Sequence, residues 1–329
     1  MDTVALLNRW QHGFPLVTAP FAQIAAALGT GEAQVIAAFR AAQADGSLSR
    51  IGAVWAAGAG GAALLCAFAV PPQRLGEVAA RVDALPGVNH NYEREHRFNL
   101  WFVITGPDAA TLHARLDALQ ADTGLAVLRL PMQRVYRIDL GFDLHGAAAR
   151  AQVPPAEREV PRVDGAERPL AALVEQGVPL VERPYAEWAA CLGEDEGQVL
   201  RTIARWLDQG TLRRFGVVVR HHELGFDQNA MTVFDVPDDA VDDCGAALAR
   251  QHGVTLCYRR ARAEGWPYNL YCMVHGRERE AVRALIDAAT HAAGLASTPR
   301  QTLFSRRRFK QQGASYFRAA PNEAAHVLA

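Results

Sequence analysis

Residues 13–35, GFPLVTAPFAQIAAALGTGEAQV, return as residues 177–199, GVPLVERPYAEWAACLGEDEGQV. Gly13, Pro15, Leu16 and Pro20 recur as Gly177, Pro179, Leu180 and Pro184 at one constant offset. Outward from this stretch, Leu28-Gly29, Val35, Gly46, Leu48 and Gly52 recur as Leu192-Gly193, Val199, Gly210, Leu212 and Gly216. Two copies of one module in one chain make a built-in pseudo-dimer, in which a pocket can be asymmetric. The differences between the copies are therefore the place to look for function.

The 329 residues are twice a common domain size, and half of them are hydrophobic, so each copy can bury a core. A formal net charge of −1 leaves no footprint for a polyanion, and no nucleic-acid partner is expected. Five cysteines (Cys66, Cys191, Cys244, Cys257, Cys272) without a CxxC pair argue against a disulfide framework or a zinc knuckle. Met1 to Trp10 lacks a basic segment followed by an apolar one, and no apolar run reaches about 18 residues. A cytoplasmic protein without signal peptide or membrane span is the expectation.

Each half reads as a helical unit followed by an α+β unit. Val4 to Trp10, Pro20 to Leu28 and Glu32 to Ala44 have helical spacing, and Leu48 to Trp55 reads as a wing strand. Together they predict a winged helix-turn-helix, with a second from Leu170 to Val219. After each wing the order strand, helix, strand, strand, helix, strand recurs, which predicts a ferredoxin-like βαββαβ domain. The fold class is α+β, in two tandem modules. The first occupies 1–144 (winged helix-turn-helix 1–56, ferredoxin-like 61–144) and the second 168–318 (168–220 and 227–318). Between them 145–167 reads as a linker rich in Ala, Pro, Arg and Glu, and 319–329 as a tail.

This layout resembles the Lrp/AsnC regulators, so DNA binding has to be weighed. The second candidate recognition helix opens with Glu194-Asp195-Glu196, which repels phosphate. Only Arg40 lies on the first candidate helix, and only Arg201 and Arg205 on the second. The electrostatic contribution is small, and the helix-turn-helix reads as a retained scaffold.

Four stretches concentrate His, Arg and aromatic residues: 87–96, 213–226, 258–271 and 306–310. Asn89-His90-Asn91-Tyr92-Glu93-Arg94 with Phe98-Asn99-Leu100-Trp101 resembles one subunit type of the siroheme decarboxylases. Arg214-Phe215-Gly216 through Arg220-His221, Leu224-Gly225-Phe226 and Asn229-Ala230-Met231, then Trp266-Pro267-Tyr268-Asn269-Leu270-Tyr271, resembles the partner type. The resemblance covers nearly the whole chain outside the linker and tail. It implies two Lrp-like subunits fused into one chain, as in the haem d1 branch of that family. It further implies removal of the carboxyl groups of the C12 and C18 acetate side chains of siroheme, giving 12,18-didecarboxysiroheme. The resemblance likewise implies an iron tetrapyrrole as substrate and no further cofactor, and no metal site is expected beyond ligation of the substrate iron by a His. The alternative is a ligand-responsive regulator or haem sensor.

A ring with eight carboxylates calls for Arg forks and aromatic planes. Arg214, Arg220, Arg259, Arg260, Arg262 and Arg308 offer the forks; Tyr258, Trp266 and Tyr268 offer the planes, with Asn269, Arg94 and Tyr92 beside them in the motifs. Loss of CO2 leaves a carbanion-like methylene that needs a positioned acid. His221 is the first choice, because the equivalent first-copy stretch, Ala56-Ala57-Gly58, has no polar side chain; His222 and Tyr258 follow. Each has a plainer reading: exposed loop histidines for His221 and His222, packing for the tyrosine kept in both copies. His90 and His96 either pack or cap a hairpin, or one of them ligates iron. Arg259 and Arg260 alternate along a strand, so one at most faces a given side, and Arg260 is preferred. The second hairpin loop is longer and carries Arg262 and Trp266, which suggests a lid over a planar substrate. A homodimer is a further expectation.

Overall fold

A computed structural model describes residues 2–56, 58–138, 160–219 and 228–317. The first repeat runs α1 (Thr3–Arg9), α2 (Pro20–Leu28), α3 (Glu32–Ala44), β1 (Leu48–Trp55), β2 (Ala62–Phe68), α4 (Leu75–Ala84), β3 (Val88–Arg94), β4 (Leu100–Gly106), α5 (Ala109–Thr123) and β5 (Val127–Ile138). The second runs α6 (Arg168–Gln176), α7 (Pro184–Leu192), α8 (Glu196–Asp208), β6 (Leu212–Val219), β7 (Gln228–Phe234), α9 (Val241–Ala249), β8 (Val254–Arg260), β9 (Leu270–Gly276), α10 (Arg279–Ala292) and β10 (Arg300–Gln311). The repeated sequence signals act as stops and starts. Pro20 and Pro184 open α2 and α7, where a missing N–H costs nothing. Gly29 and Gly193, at φ 65° and 67°, end them in the left-handed conformation that side chains with a Cβ resist. The first helix after β2 starts as a 3-10 turn at Pro72–Arg74 before α4, because Pro71-Pro72 holds the chain extended at its entry.

The chain forms two compact units, each drawing on both repeats. The expected serial modules are thus a division of sequence, not of these compact units. In the helical unit, β1 and β6 pair antiparallel with Gly52 opposite Gly216, so the internal dyad passes between two glycines. The reason for glycine is close approach. A Cβ on Gly216 would lie 2.7 Å from the Trp10 carbonyl oxygen, and one on Gly52 2.8 Å from that of Val174. Each repeat's first helix leads into chain that crosses the other repeat's strand: Val217 N–H donates to Trp10 O (2.8 Å) and Val178 N–H to Ile51 O (2.7 Å). Phe14 joins this core edge-on to Phe21 and Phe215, and Trp55 meets Trp206. The expected linker is partly fixed here. Val163 is buried and donates to Ala59 O, and Glu167 accepts from Trp206 Nε1 (2.9 Å). The remainder of that linker, 145–159, like the tail 319–329, lies outside the described residues.

The second unit is an eight-stranded closed barrel in the order β10-β3-β4-β2-β5-β8-β9-β7. Each repeat supplies four strands in the same relative order, and the long last strand of each changes partner midway. β5 pairs β2 through Val127–Pro131 and β8 through Met132–Ile138; β10 pairs β7 through Arg300–Phe304 and β3 from Ser305 on. Closure removes the sheet edges that each repeat alone would expose. The helices cover the outside over two cores, one around Phe68, Phe102 and Leu116, the other around Phe234, Leu270 and Ile286. A third core fills the barrel with Leu65, Trp101, Leu130, Met231, Trp266, Tyr271 and Leu303. Among the described residues no helix is long and apolar enough to cross a membrane.

Candidate functional site

Strand alternation decides which motif residues meet. Tyr92 lies opposite Trp101, and Tyr258 opposite Tyr271, both members of the barrel's inner core. Directly opposed residues share a face, so Tyr92 and Tyr258 point inward, followed two residues on by Arg94 and Arg260. Arg94 donates from Nη1 to Leu303 O (3.0 Å) and lies over the Tyr92 ring. Arg260 donates to Leu130 O (2.9 Å) and lies over the Tyr258 and Tyr271 rings. The two repeats thus build matching Tyr–Arg pairs on opposite walls. Neither guanidinium has a carboxylate partner among the described residues, and Arg260 Nε is buried without an acceptor. Buried cations without a counter-charge are costly, and the cost is relieved when an anion arrives.

The protonation states follow from burial. Burial, partly offset by Tyr92, pulls Arg94 down to about 10, still cationic at neutral pH. Burial pushes Tyr92 up to about 12 against the charges of Arg94 and Arg308, and burial likewise raises Tyr258. Both phenols keep their protons. His90, opposite Val103 on the same inner face, is held down to about 4 by burial and then by the Arg94 charge. Its Nδ1 lies 2.7 Å from Asn89 Oδ1. With the amide oxygen as acceptor, the proton sits on Nδ1 and the Nε2 lone pair is left for another partner. Arg308 is paired in register with Tyr92 and stands at the exposed side of this group. The equivalent of His90 in the second repeat is Leu256, opposite Met273. There the imidazole comes from His275, 2.9 Å from Thr255. Sequence reading missed His275 because no motif surrounds it; its place on an alternating strand was the available signal.

Other expected site residues have structural employment. Arg259 faces outward, opposite Leu270, and meets Asp242 (3.4 Å) beside α9. Of the alternating pair it is Arg260 that faces in. Arg262 is clamped by Asp235 and Asp238 and donates to Val236 O and Pro267 O, which pins the long hairpin loop. Asn269 exchanges two hydrogen bonds with the Val236 backbone, as Asn99 does with Val70, so this repeated Asn braces a turn. The lid expectation is corrected by burial. Trp266 is 1% exposed inside the barrel, donates to the Tyr271 hydroxyl (2.6 Å) and packs against Trp101, His96, Phe98 and Tyr268. An indole hydrophobic on both faces gains more by filling that end of the barrel than by covering it. His96 caps the first hairpin, accepting from Phe98 N–H at Nδ1 (3.0 Å), and is kept down by burial and Arg97. Arg214 belongs to the helical unit, where it is buried and donates to Gln11 O and Val217 O. Arg220, His221 and His222 lie outside the described residues.

In the helical unit a groove of about 670 Å³ runs between α3 and α7, walled by Ile36, Arg40, Glu182, Arg183 and Glu187. It mixes both charges and holds none of the motif residues. The cations of the candidate recognition helices are engaged locally: Arg40 with Leu180 O, Arg201 beside Asp195, Arg205 with Glu167. Among the described residues no cluster of three His, Cys, Asp or Glu could hold a metal.

Comparison with known proteins matches this architecture. The AsnC-like ligand binding domain matches residues 59–137 and 223–310, and the siroheme decarboxylase NirDL-like HTH domain matches 4–48 and 167–213. The siroheme decarboxylase NirDL subunit of Paracoccus denitrificans (strain Pd 1222) is 42% identical over 312 residues, covering 94% of this chain and 95% of that one. A crystal structure of the siroheme decarboxylase NirDL superposes with a TM-score of 0.70 at 29% identity, covering 96% of this chain and 95% of its own. A second, in co-complex with an iron-uroporphyrin III analogue, superposes at 0.69 with the same identity and coverage.

Proposed function

This chain belongs to the siroheme decarboxylase family of the fused NirDL type, and on that basis we propose that it removes the C12 and C18 acetate carboxyl groups of siroheme to give 12,18-didecarboxysiroheme. It is a carboxy-lyase. The observation that carries the reading is the end-to-end relation to fused NirDL subunits across both repeats. A regulator reading is disfavoured by the acidic entry to α8 and by the local engagement of its cations.

The barrel end containing Tyr92 and Tyr258 is the proposed seat for the substrate. Arg94 and Arg260, cationic and without carboxylate partners among the described residues, supply charge-assisted hydrogen bonds for substrate carboxylates. Arg308 adds a third cation near the surface. His90, neutral with Nε2 unprotonated, has the form that ligates the iron of the substrate. In the reaction the bond from the methylene carbon to CO2 breaks, and the electron pair left behind spreads into the macrocycle. A proton then converts the methylene to methyl. His221 is proposed as its donor, with Tyr258 and His222 as further candidates; Tyr258 keeps its proton at neutral pH, as a donor must. No resident cofactor enters this scheme, and turnover by protein stripped of metals and flavins tests that point.

Finer features belong to the same reading. The three helices and strand of each helical half are read as a winged helix-turn-helix, each βαββαβ run as ferredoxin-like, and the modules as 1–144 and 168–318. Cytoplasmic location and a homodimer, checked by sedimentation equilibrium, complete it. The reaction itself is tested by anaerobic incubation with siroheme followed by mass analysis of the pigment. Loss of two carboxyl groups is expected, and an unchanged pigment overturns the reading. His221→Ala should abolish turnover while binding persists.

A further inference from the structure

β10 ends at Gln311, in register with His90, and the next six residues stay on the barrel. Gln312 N–H donates to Asn89 O (2.8 Å), and its side-chain amide to Val88 O (3.3 Å). Ser315 N–H donates to Thr105 Oγ1 (3.3 Å), and the Thr105 hydroxyl donates to Ser315 O (3.1 Å). These anchors all lie at the start of β3 and the end of β4, in the first repeat. Tyr316, the next residue, comes close enough to the Tyr258 phenol of the second repeat to act on it electrostatically. In the barrel order β2 and β5 separate β4 from β8. The segment therefore lies across the start of β3 and the end of β4, beside His90, with Tyr316 within electrostatic range of Tyr258. It also touches the residues that orient His90, since Asn89 Nδ2 donates to Thr105 Oγ1 (3.3 Å) while Asn89 Oδ1 holds the imidazole.

We infer that Gln312–Phe317 is a strap forming one wall of the tetrapyrrole site, with Tyr316 as a substrate-positioning residue. This rests on the reading of the barrel end as the substrate seat. The chemistry suits a flat, carboxylate-bearing ring: the strap carries small residues at Gly313, Ala314 and Ser315, then two aromatic side chains, Tyr316 and Phe317, whose rings lie 6.4 Å apart and inclined at 67°. An aromatic face packs on the macrocycle, and a phenol hydroxyl donates to a carboxylate. Neither action moves the transferred proton, so the effect falls on binding rather than on chemistry.

The test uses the full chain and siroheme, titrated anaerobically by absorbance and assayed for turnover, with Tyr316→Ala, Tyr316→Phe and Arg260→Met as variants. Tyr316→Ala should weaken binding and raise KM about tenfold, with kcat changed less than about threefold, and Tyr316→Phe should fall between it and the parent. If Tyr316→Ala does not fold, Tyr316→Leu, which keeps most of the bulk, replaces it on the same terms. Binding within about twofold of the parent in Tyr316→Ala, alongside lost binding in Arg260→Met, overturns the strap while leaving the seat intact. Unchanged binding in both variants overturns the seat and the strap together.

Discussion

At the scale of single residues the protein spends stability on charge. Arg94 is buried with a backbone acceptor and, among the described residues, no carboxylate, and burial already draws its pKa down. Replacing such a cation by an apolar side chain of similar length is neutral or stabilising where no counter-ion is stranded. Arg94→Met is therefore expected to hold or raise the thermal midpoint while weakening siroheme binding about tenfold or more, read by calorimetry and by absorbance titration. A purely structural Arg94 would lower the midpoint and leave binding alone. His90 gives a pH signature. Its ordinary value is 6.5 and its folded value about 4, so between those limits the unfolded chain binds the extra proton. The stabilising contribution is whole above about 6.5 and is lost as the pH falls toward 4. Denaturant titrations of parent and His90→Gln across that window should show the steeper fall in the parent; parallel curves would contradict a buried neutral His90. Residue types and their alternation were readable in the sequence, and alternation allowed only one of Arg259 and Arg260 to face inward without deciding which. Which arginines were already committed was not readable, because Asp235, Asp238 and Asp242 reach Arg262 and Arg259 only in the folded barrel.

At the scale of elements, helix and strand placement followed local signals. Proline openings, glycine stops and apolar spacing put the bounds of α1, α2, α3 and β1 within one residue of those observed. Two things were hidden. The long last strands β5 and β10 each pair with both repeats, and nothing local marks residue 132 or 305 as a crossing point. The long second hairpin loop looked like a lid because its length and its Trp were visible, whereas the vacancy in the barrel that takes the indole was not. The repeated Gly52 and Gly216 were visible as matches but not as contacts. Gly216→Ala forces its Cβ against the Trp10 and Gln11 carbonyls. It is expected to cost about 1–3 kcal/mol in chemical denaturation, whereas a substitution without effect would mean that the crossing chain is loosely held.

At the scale of the whole molecule the two repeats interlock within each unit. β1 pairs β6 in one; β5 pairs β8 and β10 pairs β3 in the other. A protease site introduced between residues 150 and 160 and then cut should leave both fragments co-eluting on a sizing column and still binding siroheme. Fragments that separate without denaturant would contradict the interlocked arrangement. Interlocking also brings unlike residues of the two repeats to one barrel end. The Tyr–Arg pairs repeat, while His90 of the first repeat corresponds to Leu256 of the second and His275 of the second to Thr105 of the first, so the two sides of the barrel end differ in chemistry though not in frame. The tandem order was readable from the repeat; the interleaving was not, because sequence similarity records descent of the modules and not the pairing of their edges.

The most direct test of the central claim is a crystal structure of this chain with siroheme bound. The account predicts substrate carboxylates within hydrogen-bonding distance of Arg94 and Arg260 at the Tyr92–Tyr258 end of the barrel. A pigment seated in the groove between α3 and α7, or anywhere away from those two guanidinium groups, would contradict it.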